Sequence, residues 1–596
     1  MKNFKEKANF LWSIADLLRG HYKQADYGKV ILPLTVLRRL DSVLEPTKRK
    51  VLETYEANKT KKPEILEPLL NSAASTKTNK LKFHNRSKFD FNQLAKDPAH
   101  VAANLRNYIN GFSISAKEII DYFSFEDQIK KLDEYDLLYL IIKRFAEAGE
   151  ILKNVDTMEM GYIFEELIRK FAELSNETAG EHFTPREVIK LMVNLLFIND
   201  TKILRNEGVV KTLYDPACGT GGMLSVAEEY LQKLNDKAKL EVFGQEINPE
   251  SYAICKSDML IKGQNPANIK FGNSFTQDGL EKETFDYMLS NPPFGVEWKK
   301  AEKFIKDEYA NKGFAGRFGA GLPAISDGSL LFLQHIISKM KSRSGGTGGS
   351  RIAIVFNGSP LFSGGAGSGP SEIRKWIIEN DLLEAIIALP DQLFYNTGIS
   401  TYIWIVTDRK SKERKGKVQL INATGSDKED KDNPFYLKMM RSLGNKRKEI
   451  GDGTSGKPDQ VKTITEIYGA FQEGEYCKIF DNEDFGYYRI TVERPKRNDK
   501  GEIEKDKKGN SVPDADLRDF ENIPLKDDIE KYFKREVKPH VPDAWIDETK
   551  TKIGYEINFT KYFYQYKPLR SLEEIRKDIL ALENETVDMI KKVIEA

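Results

Sequence analysis

The stretch Thr212-Leu213-Tyr214-Asp215-Pro216-Ala217-Cys218-Gly219-Thr220-Gly221-Gly222-Met223-Leu224 constrains the chain more than any other. A β-branched and aromatic run ends in Asp-Pro. A glycine-rich turn follows, then a helix-like run from Met223 to Leu234. Strand, glycine turn and helix start, in that order, predict a ligand-binding βα unit. Glycines let the backbone turn tightly and approach a ligand closely. Uncapped N–H groups at the helix start can hold the ligand's polar end. The spacing matches neither the GxGxxG of dinucleotide folds nor the GxxxxGK[ST] of phosphate loops. No lysine follows the glycines, which disfavours a nucleoside triphosphate.

A second stretch, Phe285-Asp286-Tyr287-Met288-Leu289-Ser290-Asn291-Pro292-Pro293-Phe294, runs from an apolar strand straight into Asn-Pro-Pro-Phe. Two prolines stiffen the backbone and remove two donors, leaving carbonyls free to accept. Such a tetrapeptide can grip a flat group bearing an exocyclic NH2. The Asn291 side-chain oxygen and the Pro292 carbonyl would accept its two hydrogens, Pro293 would stiffen the turn, and Phe294 would stack on the ring. The plainer alternative is a strand-ending turn, because Asn-Pro is common in turns.

Asp215–Gly222 followed by Asn291–Phe294 resembles the S-adenosylmethionine-dependent amino-methyltransferases that act on DNA adenine N6. A third segment, Gly180-Glu181-His182-Phe183-Thr184-Pro185-Arg186-Glu187, is similar to the modification subunit of type I restriction-modification systems. Phe332–His335 and Leu389–Gly398 agree with it. The likeness runs from the N-terminal helices to about residue 410 and weakens beyond.

The resemblance implies S-adenosylmethionine as cofactor, held by Glu181, His182, Phe183, Thr184, Pro185 and Arg186, and by Asp215, Pro216, Gly219, Thr220, Gly221 and Gly222. Glu246 ends the next predicted strand, where a carboxylate would bridge the ribose hydroxyls. Asn273, after a third strand, stands where the family often has an acid near the adenine. Asn291, Pro292, Pro293 and Phe294 would hold the target base, with no metal. Thr184-Pro185-Arg186-Glu187 also suits a plain helix start, with Thr184 as cap and Glu187 three residues on. Implied partners are double-stranded DNA, a specificity subunit, a restriction subunit and a second copy of the chain. Two other readings share these motifs. One is methyl transfer to RNA or to a protein glutamine, and the other is a non-catalytic cofactor-binding subunit.

Charge enters here. Ninety-two Lys and Arg against 91 Asp and Glu leave a net +1, so any DNA-binding face must be a local patch or be supplied by a partner. Three cysteines, Cys218, Cys255 and Cys477, lack CxxC spacing, which argues against a zinc site or a disulfide framework. The first residues lack the apolar core of a signal peptide, and no run of about 18 apolar residues exists. A cytoplasmic chain without a membrane segment is therefore expected.

Apolar spacing predicts a helical domain over residues 1–155. Residues 156–425 alternate strands and helices, which predicts an α/β domain with a mixed, mostly parallel sheet, a Rossmann-like methyltransferase domain by resemblance. Its polar segment 295–328, with Lys299, Lys300, Lys303, Lys306, Lys312 and Arg317, reads as a mobile flap near the target base and phosphates or as an ordinary solvated loop. Residues 426–596 form a C-terminal extension, with polar stretches, solvated or disordered, at 427–432, 451–457 and 496–514. It ends in a helix from Ser571 whose Leu572, Ile575, Ile579, Leu582, Met589 and Val593 form a heptad seam suited to a coiled-coil partner or to packing on the chain's own domain.

Overall fold

The computed structural model describes residues 4–594 apart from 78, 153–154, 156, 176–183, 345–346, 396, 426–432 and 565–570. Two units emerge, Met1–Ile557 and Asn558–Ala596.

The larger unit begins with helices, among them Gly28–Leu44, Lys48–Asn58, Pro63–Ala74 and Leu138–Leu152. Their apolar faces share one core with Ala253, Ile254, Leu260 and Ile261 of the helix Pro249–Ile261, so the N-terminal region is seated on the α/β domain. Lys256 Nζ, from that helix, donates to Glu118 at 2.8 Å across the same junction.

The α/β domain is built on strands β1 (Val210–Asp215), β2 (Lys239–Glu246), β3 (Ile269–Phe271), β4 (Tyr287–Ser290), β5 (Arg351–Phe356), β6 (Leu383–Ala388), β7 (Tyr402–Thr407) and β8 (Lys417–Asn422). A hairpin follows, β9 (Leu437–Leu443) and β10 (Lys446–Glu449), and then β11 (Cys477–Asp481). The central sheet has nine strands in the order β11-β8-β6-β7-β5-β4-β1-β2-β3. Strands β3, β2, β1, β4 and β5 run parallel, as do β6 and β8; β7 is antiparallel to β5 and β6, and β11 to β8. The sheet is therefore mixed and mostly parallel, as its runs of buried Val, Ile and Leu predict. Residues 351–356 and 383–388 are buried throughout, which such strands require when helices cover both faces.

Chain order reverses beside β1: the sequence proceeds to β2 and β3 on one side and to β4 and β5 on the other. Connections diverge at such a point and leave a crevice at the carboxyl ends of the strands. The glycine turn after β1 and Asn291 after β4 both open into that crevice.

Three expectations need correction. Residues 295–328 are not a loose flap. They carry the helix Glu302–Lys312 and bury Trp298, Ala301, Ile305 and Phe318 against Phe275 and Leu331. Arg317, expected beside DNA phosphates, is paired with Glu308 at 2.7 Å and donates to the carbonyls of Ser274 and Phe275. Scattered aromatic residues without a helical or strand period hid this small core. The sheet also takes its edge strand from 477–481, well beyond residue 425, and the helix Gln460–Ala470 packs on the helix Arg186–Phe197. Finally, the polar stretch 496–514 is exposed but folded, with antiparallel bridges Arg497↔Ile503 and Lys505↔Ser511 closed by tight turns at Gly501 and Gly509. The charge run at 427–432 lies outside the described residues.

In the smaller unit a helix spans Leu572–Ile594. Leu572, Ile575, Ile579, Leu582 and Met589 of the predicted seam are exposed on it. No described helix is long and apolar enough to cross a membrane.

Candidate active site

One cavity in the crevice gathers residues from four strand ends and from two helices that precede the sheet. The glycine turn forms its floor. Gly219 and Gly221 adopt left-handed backbone, with φ of 53° and 84°. Gly221 precedes the helix Gly222–Leu234, and no side chain caps the helix's first N–H groups. Asp215, Pro216, Gly219, Thr220 and Gly222 line the cavity. Gly221 does not; a Cβ there would stand 2.8 Å from Cys255 Sγ.

Asp215 is 2% exposed. Its Oδ1 accepts from Ala217 N at 3.0 Å and from Ser290 Oγ at 2.9 Å, which ties the turn after β1 to the end of β4. Burial pushes its carboxyl up to about 7, against the lowering effect of those two donors.

Glu246 closes β2 and also lines the cavity. Its Oε2 accepts from Gly219 N at 2.8 Å and its Oε1 from Asn248 N at 2.7 Å. A carboxylate has about four lone-pair sites, so two neighbouring hydroxyls can still be accepted. Asn248 then caps the helix Pro249–Ile261, accepting from Ser251 N, which fixes the carboxylate's position from its C-terminal side.

Asn273 lines the cavity, but its Oδ1 accepts from Phe275 N at 2.8 Å and Thr276 N at 3.3 Å. That oxygen closes a local turn, so Asn273 does not replace an acid as acceptor for an adenine NH2. Its amide nitrogen, a donor only, is what the residue can offer a ring nitrogen.

Asn291 and Pro293 line the same cavity. Asn291 Nδ2 donates to Thr184 Oγ1 at 2.9 Å. Thr184 is therefore no helix cap: the helix Arg186–Phe197 starts from the Pro185 carbonyl, and no side chain caps it. Glu187 completes no capping box either, since it receives Lys446 Nζ. Phe294 is buried, edge-on to Phe394 with ring centroids 6.2 Å apart, and neither it nor Pro292 lines the cavity. Arg186 is buried against Glu165 at 2.6 Å and reaches the cavity only through that partner. Glu181, His182 and Phe183 lie outside the described residues.

Sequence reasoning missed Glu165, Ile247, Phe275 and Phe332, which all line the cavity. Glu165 comes from the helix Thr157–Ser175, where its spacing reads as an ordinary helical acid. Burial pushes its carboxyl up and Arg186 pulls it back. Ile247 is 59% exposed although apolar and directly follows Glu246, a signal that could have found it. Phe275 and Phe332 stand with centroids 4.5 Å apart and planes tilted by 51°, an apolar corner in the cavity wall. Among the described residues, no cluster of His, Cys, Asp or Glu is placed to hold a metal ion.

The floor thus offers uncapped N–H groups and the buried Asp215, the preceding helix the half-buried Glu165, the β2 end a carboxylate, and the wall aromatic rings. Those features fit an amino acid, a ribose and a flat base in line, with an amide facing them from β4.

Comparison with known proteins bears on this geometry. Residues 155–483 match the family model described as N-6 DNA methylase, and residues 7–145 match the HsdM N-terminal domain. The type I restriction enzyme MjaIX methylase subunit of Methanocaldococcus jannaschii is 30% identical over 438 residues, covering 70% of this chain and 72% of that one. The HindI methylase subunit of Haemophilus influenzae is 30% identical over 267 residues, 44% of this chain and 54% of that one. Among solved structures, the type I restriction-modification methyltransferase subunit from Streptococcus thermophilus superposes with a TM-score of 0.58 at 21% identity, covering 81% of this chain and 97% of that one.

Proposed function

This chain belongs to the N-6 DNA methylase family, among the methylase subunits of type I restriction enzymes, and on that premise we propose how its own residues methylate adenine N6 with S-adenosylmethionine. The observation that carries the reading is that Asn291 opens into the same cavity as the glycine turn and Glu246.

Bound S-adenosylmethionine supplies an electrophilic methyl on a sulfonium, a good leaving group. The chain's residues bind and orient. Glu246 would accept from the ribose hydroxyls, and Ile247, Phe275 and Phe332 would flank the cofactor's base. Asp215 and Glu165 would face the methionine ammonium, and the uncapped N–H groups of Gly222 and Met223 would suit its carboxylate.

The target adenine is extruded from the duplex, because N6 is out of reach in the stack. Thr184 holds the Nδ2 side of Asn291, which leaves Oδ1 to accept from the amino group; the Pro292 carbonyl, outside the cavity in this structure, becomes the second acceptor as the base half of the site closes. Two accepted hydrogens draw the N6 lone pair out of ring conjugation and aim it at the methyl. Orientation and preorganised dipoles then carry the step. Phe294 stacks on the base only after the Phe294–Phe394 contact rearranges, so the base half of the site closes around its substrate. No residue is assigned as general base, so the surplus N6 proton would pass to solvent after the carbon–nitrogen bond forms and the sulfonium departs as a neutral thioether.

DNA, a specificity subunit, a restriction subunit and a second copy are the proposed partners. The Leu572–Ile594 helix is the proposed contact with the specificity subunit. The test is transfer of labelled methyl from S-adenosylmethionine to DNA, RNA or protein, using the chain with its neighbouring gene products. Label at N6 of DNA adenine is expected. Label in RNA or in a glutamine amide instead would overturn the reading, as would cofactor binding with no transfer at all.

A further inference from the structure

The β9–β10 hairpin is the most basic short element near the site. Residues 437–449 hold Lys438, Arg441, Lys446, Arg447 and Lys448 against the single acid Glu449, in a chain whose net charge is +1. Glu449 is paired with Lys457 at 2.7 Å.

Four of its five cations fall into two pairs, and the fifth, Lys438, is exposed at the start of the bulge. Lys446 and Lys448 face inward. Lys446 Nζ meets Glu187 and donates to the Leu393 carbonyl at 2.9 Å, and Lys448 Nζ meets Asp391 at 2.5 Å. Backbone adds to this anchor: Arg447 N and Lys448 N both donate to the Gln392 carbonyl, and Asn445 N donates to the Tyr395 carbonyl at 2.8 Å. Gln392 has a φ of 55°, a left-handed conformation costly for a residue with a side chain and kept only where the surroundings enforce it. Two residues on, Phe394 meets Phe294. Through that segment the hairpin reaches the Phe294 ring of the Asn-Pro-Pro-Phe turn, at the contact that rearranges when the base is bound.

Arg441 and Arg447 face outward. Both are exposed, with no ion-pair partner among the described residues. Between the pairs Lys438↔Lys448 and Leu443↔Lys446 the register shifts, so Met439–Ser442 oppose Arg447 alone. A bulge of this kind pushes the longer strand outward and re-aims its side chains. Met440 lies within it and is 100% exposed.

We propose that the β9–β10 hairpin is a DNA-contacting element, in which Arg441 and Arg447 hold phosphates and Met440 wedges into the base stack beside the extruded adenine. The proposal rests on the methyltransferase reading above. A flexible apolar side chain between two guanidinium groups fits a groove with anionic walls and an apolar stack. An extruded base leaves a gap that such a side chain fills. The charge arrangement also supplies the local patch that a near-neutral chain needs.

The probe is a fluorescent DNA duplex of arbitrary sequence, titrated with the intact chain in its natural complex at several salt concentrations. Each neutralised phosphate contributes about 0.9 to the slope of log affinity against log salt. The double variant Arg441→Ser/Arg447→Ser should therefore lower that slope by roughly 1.8, with cofactor affinity and melting temperature unchanged. Met440→Ala should cut the methylation rate at least roughly tenfold while arbitrary-sequence DNA affinity stays within about threefold, and Met440→Leu should restore it, as expected of a wedge. An unchanged slope overturns the proposal. So does loss of co-elution with partner subunits in place of a slope change, which would make the hairpin a protein interface. An unchanged rate in Met440→Ala overturns the wedge. A native complex that binds DNA without methylating it would count against the proposed activity, while the slope still decides the hairpin.

Discussion

At the scale of single residues, Asn291 and Asp215 divide the site into its two halves. Asn291→Ala should abolish methyl transfer while leaving S-adenosylmethionine affinity intact, as the proposed role of its amide toward the base requires; calorimetry on the folded variant checks this. Thr184→Val removes the acceptor of the Asn291 Nδ2 bond at 2.9 Å. It should lower kcat by about 10–100-fold, the effect of losing roughly 1.4–2.7 kcal/mol of orientation, with cofactor affinity little changed. Asp215 carries a pH signature. An unperturbed aspartate ionises near about 3.9, whereas burial holds Asp215 at about 7. Between those values the folded chain keeps a proton that the unfolded chain has released. Asp215 therefore lowers stability as pH rises through that window, by up to roughly 4 kcal/mol, and the full penalty stands above it. Asp215→Asn should raise the melting temperature of the cofactor-free protein at pH 8 and leave it unchanged at pH 4. The same variant should weaken cofactor binding, and it should abolish the rise in wild-type cofactor affinity between pH 6 and 8. A melt that shifts equally at both pH values would refute the assignment.

At the scale of elements, the glycine turn and the 295–328 segment act as supports. Gly221→Val would strain a φ of 84° and press on Cys255, so it should lower both melting temperature and cofactor affinity. The conformation, rather than direct contact with the ligand, is what glycine provides there. Glu246→Ala should lower cofactor affinity about 10–100-fold, the loss of a charge-assisted contact of roughly 1.5–3 kcal/mol. Its own bonds to Gly219 N and Asn248 N add a small loss of stability. Arg317→Met removes the donors that pin the Ser274 and Phe275 carbonyls and leaves Glu308 without this partner. It should weaken cofactor binding through the loosened wall, read as a higher Kd in titration together with a melt lowered by several degrees.

At the scale of the whole molecule, the terminal helix tests how the chain joins an assembly. Its seam residues Ile579 and Leu582 are 60% and 64% exposed. Deleting Ser571–Ala596 should therefore leave melting temperature and cofactor affinity as they are while gel filtration shows the specificity subunit lost. Ile579→Glu with Leu582→Glu should act like the deletion. A melt lowered by many degrees with partner binding retained would refute the interface. DNA methylation should fall with the partner, since a chain of net charge +1 has little electrostatic hold on DNA beyond local patches.

The sequence by itself determined the order of strands and helices around the glycine turn, because apolar period and glycine placement are local signals. It also carried the Asn-Pro-Pro-Phe and Asp-Pro-Ala-Cys-Gly motifs, whose chemistry is contained in adjacent residues. Only the tertiary structure decided what those motifs touch. Thr184 reads as a helix cap until β4 brings Asn291 to it, 107 residues away in the chain. Glu165 reads as one more helical acid until Arg186 and the glycine turn close on it. Asn273 reads as an acceptor standing in for an acid until its oxygen is found closing a turn, which leaves its amide nitrogen to face the cavity. Arg317 reads as a free cation until Glu308 and two carbonyls surround it. In each case the deciding partner is brought in by folding, and a side chain's spare donors and acceptors are settled only once its neighbours have taken the others.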